Sequence, residues 1–79
     1  MRFNVLDLFS GAGGFSSGLD NVKNIKTVEA LDIDEYATNT FKCNFPDAYV
    51  ITGDITNSEI KKEVIENAKR LNVNMIVGG

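Results

Sequence analysis

An α/β fold with a parallel four-stranded sheet of order 3-2-1-4 is what this sequence predicts, and three observations carry it. Short apolar runs alternate with segments of helical periodicity from Val5 to Val77, the pattern of a parallel sheet with right-handed crossovers. The first run, Val5–Phe9, passes straight into the glycine-rich turn Ser10–Gly14, which suits the topological switch point of such a sheet. Three runs also end on a residue able to hold a polar ligand, at the strand ends where doubly wound sheets bind ligands.

The elements follow in order. Val5–Phe9 is a short apolar run, predicted as a strand buried on both faces, and Phe15–Leu19 as a short helix. Ile25–Ile33 is a second strand. Asp34 is a suitable N-cap for a helix over Glu35–Asn44, whose apolar face takes in Tyr36, Ala37, Thr40 and Phe41. Pro46 follows, where it cannot continue a helix. Ala48–Thr52 is β-branched and aromatic, a third strand. Thr56 with Glu59 matches a capping box. Ile60, Val64, Ile65, Ala68 and Leu71 then mark one face of a third helix, with a solvated face of Lys and Glu opposite. Asn74–Val77 is a fourth strand, of buried type yet left at an edge, and Gly78-Gly79 begins a turn.

The totals narrow the function. At 79 residues the chain is one small domain or a piece of a larger one. Its 43% hydrophobic content argues against disorder. Eight basic against eleven acidic residues, a net charge of −3, gives no basic face for nucleic acid. With one cysteine and no histidine, an internal disulfide, a zinc cluster and a Ser-His-Asp arrangement are excluded. No metal site is expected. Nothing resembles a signal peptide or a membrane span, so a cytoplasmic (or nucleoid-associated) setting is expected.

The glycine turn and the following helix start offer backbone N–H groups and a partial positive charge to an anionic or polar ligand. Asp32 stands about 20 residues beyond the turn, the place of an acid that takes ribose hydroxyls. Asp54, beside Ile55, suits an adenine amino group and ring. Each has an ordinary reading too. The glycines serve a tight turn; Asp32 or Asp34 caps a helix, which Asp34 is expected to do, leaving Asp32 the freer; Asp54 is a turn acid. A dinucleotide fingerprint is disfavoured, because Ser16 stands where a third glycine belongs and would crowd helix–strand packing.

Taken together, Asp7–Leu19 closely resembles the first signature of the cytosine-C5 DNA methyltransferases. Ala30–Ala37 with Thr40-Phe41 and Asn44-Phe45-Pro46 resembles their second, Gly53-Asp54-Ile55 their third, and Met75–Gly79 the lead-in to their fourth. The resemblance implies a Rossmann-like S-adenosylmethionine-dependent methyltransferase fold, with residues 1–79 as its N-terminal cofactor-binding part. It implies that Phe9, Ser10, Gly11, Ala12, Gly13 and Gly14 wrap S-adenosylmethionine. Asp32 takes the ribose, Ile33 packs on adenine, and Asp54 and Ile55 complete the adenine site. Asp7 is expected to brace the loop.

The family's nucleophile is a cysteine in a Pro-Cys dipeptide directly after the Gly-Gly pair, where this sequence ends. No catalytic residue is therefore assigned, and Cys43 is read as an ordinary packing or surface thiol. The expected role is that of a cofactor-binding fragment, inactive alone, of an enzyme of DNA methylation and restriction–modification, which meets DNA through its other parts. Half of a split enzyme, a non-catalytic binding module, a transfer-RNA cytosine methyltransferase and an NAD-binding domain are the alternatives. A partner chain or self-association is expected at the exposed edge strands.

Overall fold

The computed structural model describes residues 2–11, 16, 18–19 and 22–78. Four strands, β1 (Phe3–Leu8), β2 (Ile25–Asp32), β3 (Tyr49–Thr52) and β4 (Met75–Gly78), form one sheet in the order β3-β2-β1-β4. All three pairings are parallel. The helices α1 (Glu35–Asn44) and α2 (Ser58–Arg70) are the crossovers from β2 to β3 and from β3 to β4. Of the expected helix over 15–19, Ser16, Gly18 and Leu19 are helical, while Phe15 and Ser17 lie outside the described residues.

Two separate cores hold the helices to opposite faces of the sheet. Ala30 packs with Phe41 and Phe45 of the α1 segment, backed by Ala48 and Val50. The two phenyl rings stack with centroids 4.5 Å apart. Ala37, Phe41 and Phe45 recur every four residues and form the buried row. Tyr36, expected on that row, is rotated off it by one position and is 81% exposed. On the other face, Leu6, Leu31, Ile51 and Val64 form the second core, with Ile60 and Ile55 against it. Ile65 is half exposed for the same reason as Tyr36, so it does not belong to the packed face of α2.

The caps follow the sequence once and depart from it once. Asp34 caps α1 as predicted, its Oδ1 accepting from Tyr36 N–H at 2.9 Å. The cap of α2 is Asn57 and not Thr56. The Asn57 side chain accepts from Glu59 and Ile60 N–H at 2.9 and 3.2 Å. Thr56 is committed elsewhere, as its N–H and hydroxyl both donate to Asp54 Oδ1 at 2.8 Å. The Thr56 side chain is thereby turned back toward Asp54, and the helix starts one residue later, at Ser58, with Asn57 in the cap position.

Strand register is set by two devices. At the amino end of the sheet, Asn4 N–H donates to Asn74 Oδ1 at 2.9 Å, and Asn74 N–H donates to the Asn4 carbonyl at 3.0 Å, locking β4 beside β1. Between β1 and β2 the register shifts by one residue: Val5 pairs with Thr27, but Leu6 pairs with Glu29. The extra residue, Val28, is a bulge, and a bulge reverses which face the flanking side chains take. β4 departs from a buried-type strand, because its residues alternate between half-buried and exposed and Ile76 is 63% exposed.

Candidate functional site

The carboxyl ends of β1, β2 and β3 meet around Asp32. Its backbone carbonyl accepts from Gly53 N–H at 2.9 Å, which ties in the exit of β3. Its Oδ2 accepts from Gly11 N–H at 2.7 Å and its Oδ1 from Asp34 N–H at 3.0 Å. One residue thus fixes the entry of the glycine loop, the third strand's exit and the start of α1. Asp32 is therefore not the freer of the two aspartates, since both its oxygens hold backbone donors. An ionised carboxylate has about four acceptor sites, so this half-buried group keeps capacity for a further pair of hydroxyl donors.

The loop leaves β1 through a constrained backbone. Phe9, expected inside the strand, lies just beyond it with φ +59°, and Gly11 has φ +55°. A left-handed phenylalanine is uncommon and marks a backbone held by its surroundings. Ser10 between them is buried, with its N–H on the Leu31 carbonyl at 3.1 Å. The turn points the Phe9 ring outward, and the residue is 54% exposed. A Cβ at Gly11 would meet only open space, so glycine is required there by the dihedral angle and not by crowding. Ala12, Gly13 and Gly14, expected to continue the cradle, lie outside the described residues.

Two further strand ends contribute. Ile33, one residue past β2, is 66% exposed at the edge where Asp32 sits. Asp54 is fully open to solvent, and the two Thr56 donors hold its carboxyl below the ordinary range. Gly53 allows Ile60 to pack close, since a Cβ there would lie 2.6 Å from the Ile60 Cδ1. Ile55 is half-buried and packs against the core of Leu6, Leu31, Ile51 and Val64. The contact the structure gives Ile55 is thus a packing one, beside the adenine contact expected of it.

Asp7 lies beneath the loop and is buried. Its Oδ2 accepts from the Ser16 hydroxyl at 2.6 Å, and Ser16 in turn accepts from the Thr27 hydroxyl at 3.0 Å. Burial pushes the Asp7 carboxyl above its ordinary value; the Ser16 bond opposes that, and the neighbouring Asp32 charge adds to it. Ser16, expected to crowd the helix against the strand, is fully buried with its hydroxyl bonded on both sides. Sequence reading did not connect these three side chains. The available signal was a serine and a threonine near an aspartate in an apolar strand, but only the Val28 bulge brings Thr27 to the face of Asp7.

Elsewhere, Cys43 is a free, exposed thiol in the last turn of α1. Among the described residues no cluster of ligating side chains suits a metal ion, and no helix is long and apolar enough to cross a membrane. A hollow along α2, lined by Thr56, Lys61, Lys62, Ile65 and Lys69, is a solvated helix face.

The fold and this edge define a class: a doubly wound α/β domain whose strand ends bring together a carboxylate, exposed apolar side chains and a turn with left-handed backbone at Phe9 and Gly11. Residues 3–79 match the family model for C-5 cytosine-specific DNA methylases, and the chain belongs to that family. It is 37% identical over its whole length to the type II methyltransferase M.AquIA of Picosynechococcus sp., of which it covers 32%. It is 32% identical, again over its whole length, to M1.HphI of Haemophilus parahaemolyticus, covering 21%. A crystal structure described as a putative prophage-encoded DNA modification methyltransferase of E. coli superposes with a TM-score of 0.79 at 36% identity, over 99% of this chain and 22% of that one. The chain therefore spans about a third or less of the length of these relatives.

Proposed function

We propose that this chain binds S-adenosylmethionine and forms the donor-holding part of an enzyme that methylates C5 of cytosine in DNA. The observation that carries the reading is Asp32. It is fixed between three strand ends, has acceptor sites to spare, and stands beside exposed Ile33 and Phe9. That set fits an adenosine: hydroxyls for Asp32, a ring face for Ile33 and Phe9, an amino group for Asp54. Ser10, Gly11, Ala12, Gly13 and Gly14 would face the methionine end, and Ile55 would border the ring. The bound group would supply a methyl on positively charged sulfur, a charge that the nearby carboxylates of Asp7 and Asp32 favour.

In this reading residues 1–79 hold the donor and do not themselves methylate, as Cys43 is an exposed thiol at the end of α1 away from Asp34, its start beside the site. DNA is met through other parts of the enzyme, in the cytoplasm or on the nucleoid; transfer-RNA cytosine is the variant substrate. The uncovered edge of β4, with Ile76 63% exposed, supports a second reading in which a partner chain, as in a split enzyme, or a second copy completes the sheet.

Calorimetry of the chain with S-adenosylmethionine and with NAD tests the proposal. Binding of the first with NAD inert is expected, and binding of NAD alone would overturn it. Adding the remainder of a related methyltransferase tests the second reading: recovered activity supports a split enzyme, and none argues against it.

A further inference from the structure

Two strand carboxylates hold the residues on either side of the glycine-rich stretch. At its entry Gly11 N–H sits on Asp32, at 2.7 Å; at its exit the Ser16 hydroxyl sits on Asp7, at 2.6 Å. The exit contact is the less expected. Ser16 replaces the glycine that lets a helix approach a strand in dinucleotide-binding folds, and here its hydroxyl spans that gap. It donates to Asp7 of β1 and accepts from Thr27 of β2, so the first turn after the loop is bonded to both central strands. All three side chains are buried, with exposures of 1%, 0% and 2% for Asp7, Ser16 and Thr27. Water therefore offers no substitute partner if one is lost.

We infer that Asp7, Ser16 and Thr27 form a positioning relay that fixes the helix start at Ser16 against β1 and β2 and thereby supports the binding of the methyl donor at the neighbouring strand ends. The inference rests on the reading of this edge as a donor site. None of the three need touch the ligand. Ser16 acts through the helix start to which it belongs, Asp7 through Ser16, and Thr27 fixes the direction of the Ser16 proton by donating to it. The Val28 bulge is part of the device, since strict alternation would turn Thr27 to the opposite face.

A positioning role and a merely structural one differ in what they leave intact. The experiment measures affinity for S-adenosylmethionine and for S-adenosylhomocysteine, which lacks the sulfonium charge, together with unfolding by urea. The chains compared are the unsubstituted protein, Ser16→Ala, Asp7→Asn, and Val64→Ala in the opposite core as a stability control. Ser16→Ala is expected to weaken both ligands by the same factor, about ten-fold, the size of one charge-assisted hydrogen bond. Val64→Ala is expected to lower stability at least as much and leave both affinities unchanged. Asp7→Asn, which keeps an acceptor for Ser16, is expected to lose less affinity than Ser16→Ala. Ser16→Ala binding as well as Val64→Ala would overturn the relay while leaving the donor site standing. No binding of either ligand by the unsubstituted chain would overturn the donor site, and the relay with it.

Discussion

Two buried acids lie on opposite faces of the same sheet, and their surroundings could hardly differ more. Asp7, on the α1 face, is bonded to a serine that is itself bonded to a threonine. Glu29, on the α2 face, is fully buried and neither of its oxygens has a hydrogen-bond partner. Glu29 pairs across the ladder with Tyr49, whose hydroxyl donates to Glu63 of α2 at 3.1 Å. Arg70 lies over the Tyr49 ring and donates to Asn67. The Arg70 cation is thus engaged above Glu29 and does not close a bond with it. Burial raises Glu29 to about 7; the Arg70 charge pulls it down and the Glu63 charge pushes it up. The contrast teaches that burial alone does not mark a functional acid. The partnered one ties the helix start at Ser16 to β1 and β2 next to the proposed donor site, and the unpartnered one is a cost to the fold.

The largest expected effect breaks the cost. Folded Glu29 keeps its proton up to about pH 7, whereas the unfolded chain releases it near its ordinary 4.5. Stability is thus favoured below 4.5 and declines as pH rises through the interval to about 7, by roughly 3 kcal/mol when fully developed. Asp7, also raised, adds a loss of the same sign that sets in as pH rises past its ordinary 3.8. Glu29→Leu is expected to remove the upper part of that slope and to stabilise the chain at pH 8 by a few kcal/mol. Urea unfolding at pH 5 and pH 8 measures this; a slope unchanged by the substitution would contradict it.

The next effect has the opposite sign. Asp7→Ala leaves the Ser16 hydroxyl buried without its acceptor and is expected to cost about 2 kcal/mol in the same assay. A stabilised Asp7→Ala would erase the distinction between the two acids. The smallest effect concerns how α2 is anchored over the Glu29 face. Asn57→Ala is expected to cost about 1 kcal/mol as the loss of a cap. Thr56→Ala, which removes only one of two donors to exposed Asp54, is expected to cost less. Thermal melts that reverse this order would restore Thr56 as the cap.

The element order was legible because strands and helices differ in period and each helix row is short and clear. The strand order followed from the alternation and the single glycine-rich turn. The Asp34 cap was legible since nothing else competes for that side chain. The α2 cap was not, because Thr56-x-x-Glu59 fits a capping box as written and only the Asp54 carboxylate diverts the threonine. Glu29 gave no sign of burial, since a charged strand residue ordinarily reads as exposed. The Asp7, Ser16 and Thr27 chain was hidden by the bulge at Val28, which alternation cannot show. Of the residues expected at the site, Asp32 and Asp54 could be picked out by their places at strand ends, while Ile33 came only with the family resemblance. The clasp of Gly11 by Asp32 depends on backbone that a residue pattern does not specify.

The central claim is that the carboxyl edge of the sheet holds the methyl donor. Titrating the isotope-labelled chain with S-adenosylmethionine, while following backbone amide resonances, tests it most directly. The account predicts shifts concentrated at Gly11, Asp32, Ile33, Asp34, Gly53 and Asp54, with α2 from Lys61 to Lys69 unmoved. Shifts confined to α2, or none at saturating ligand, would contradict it.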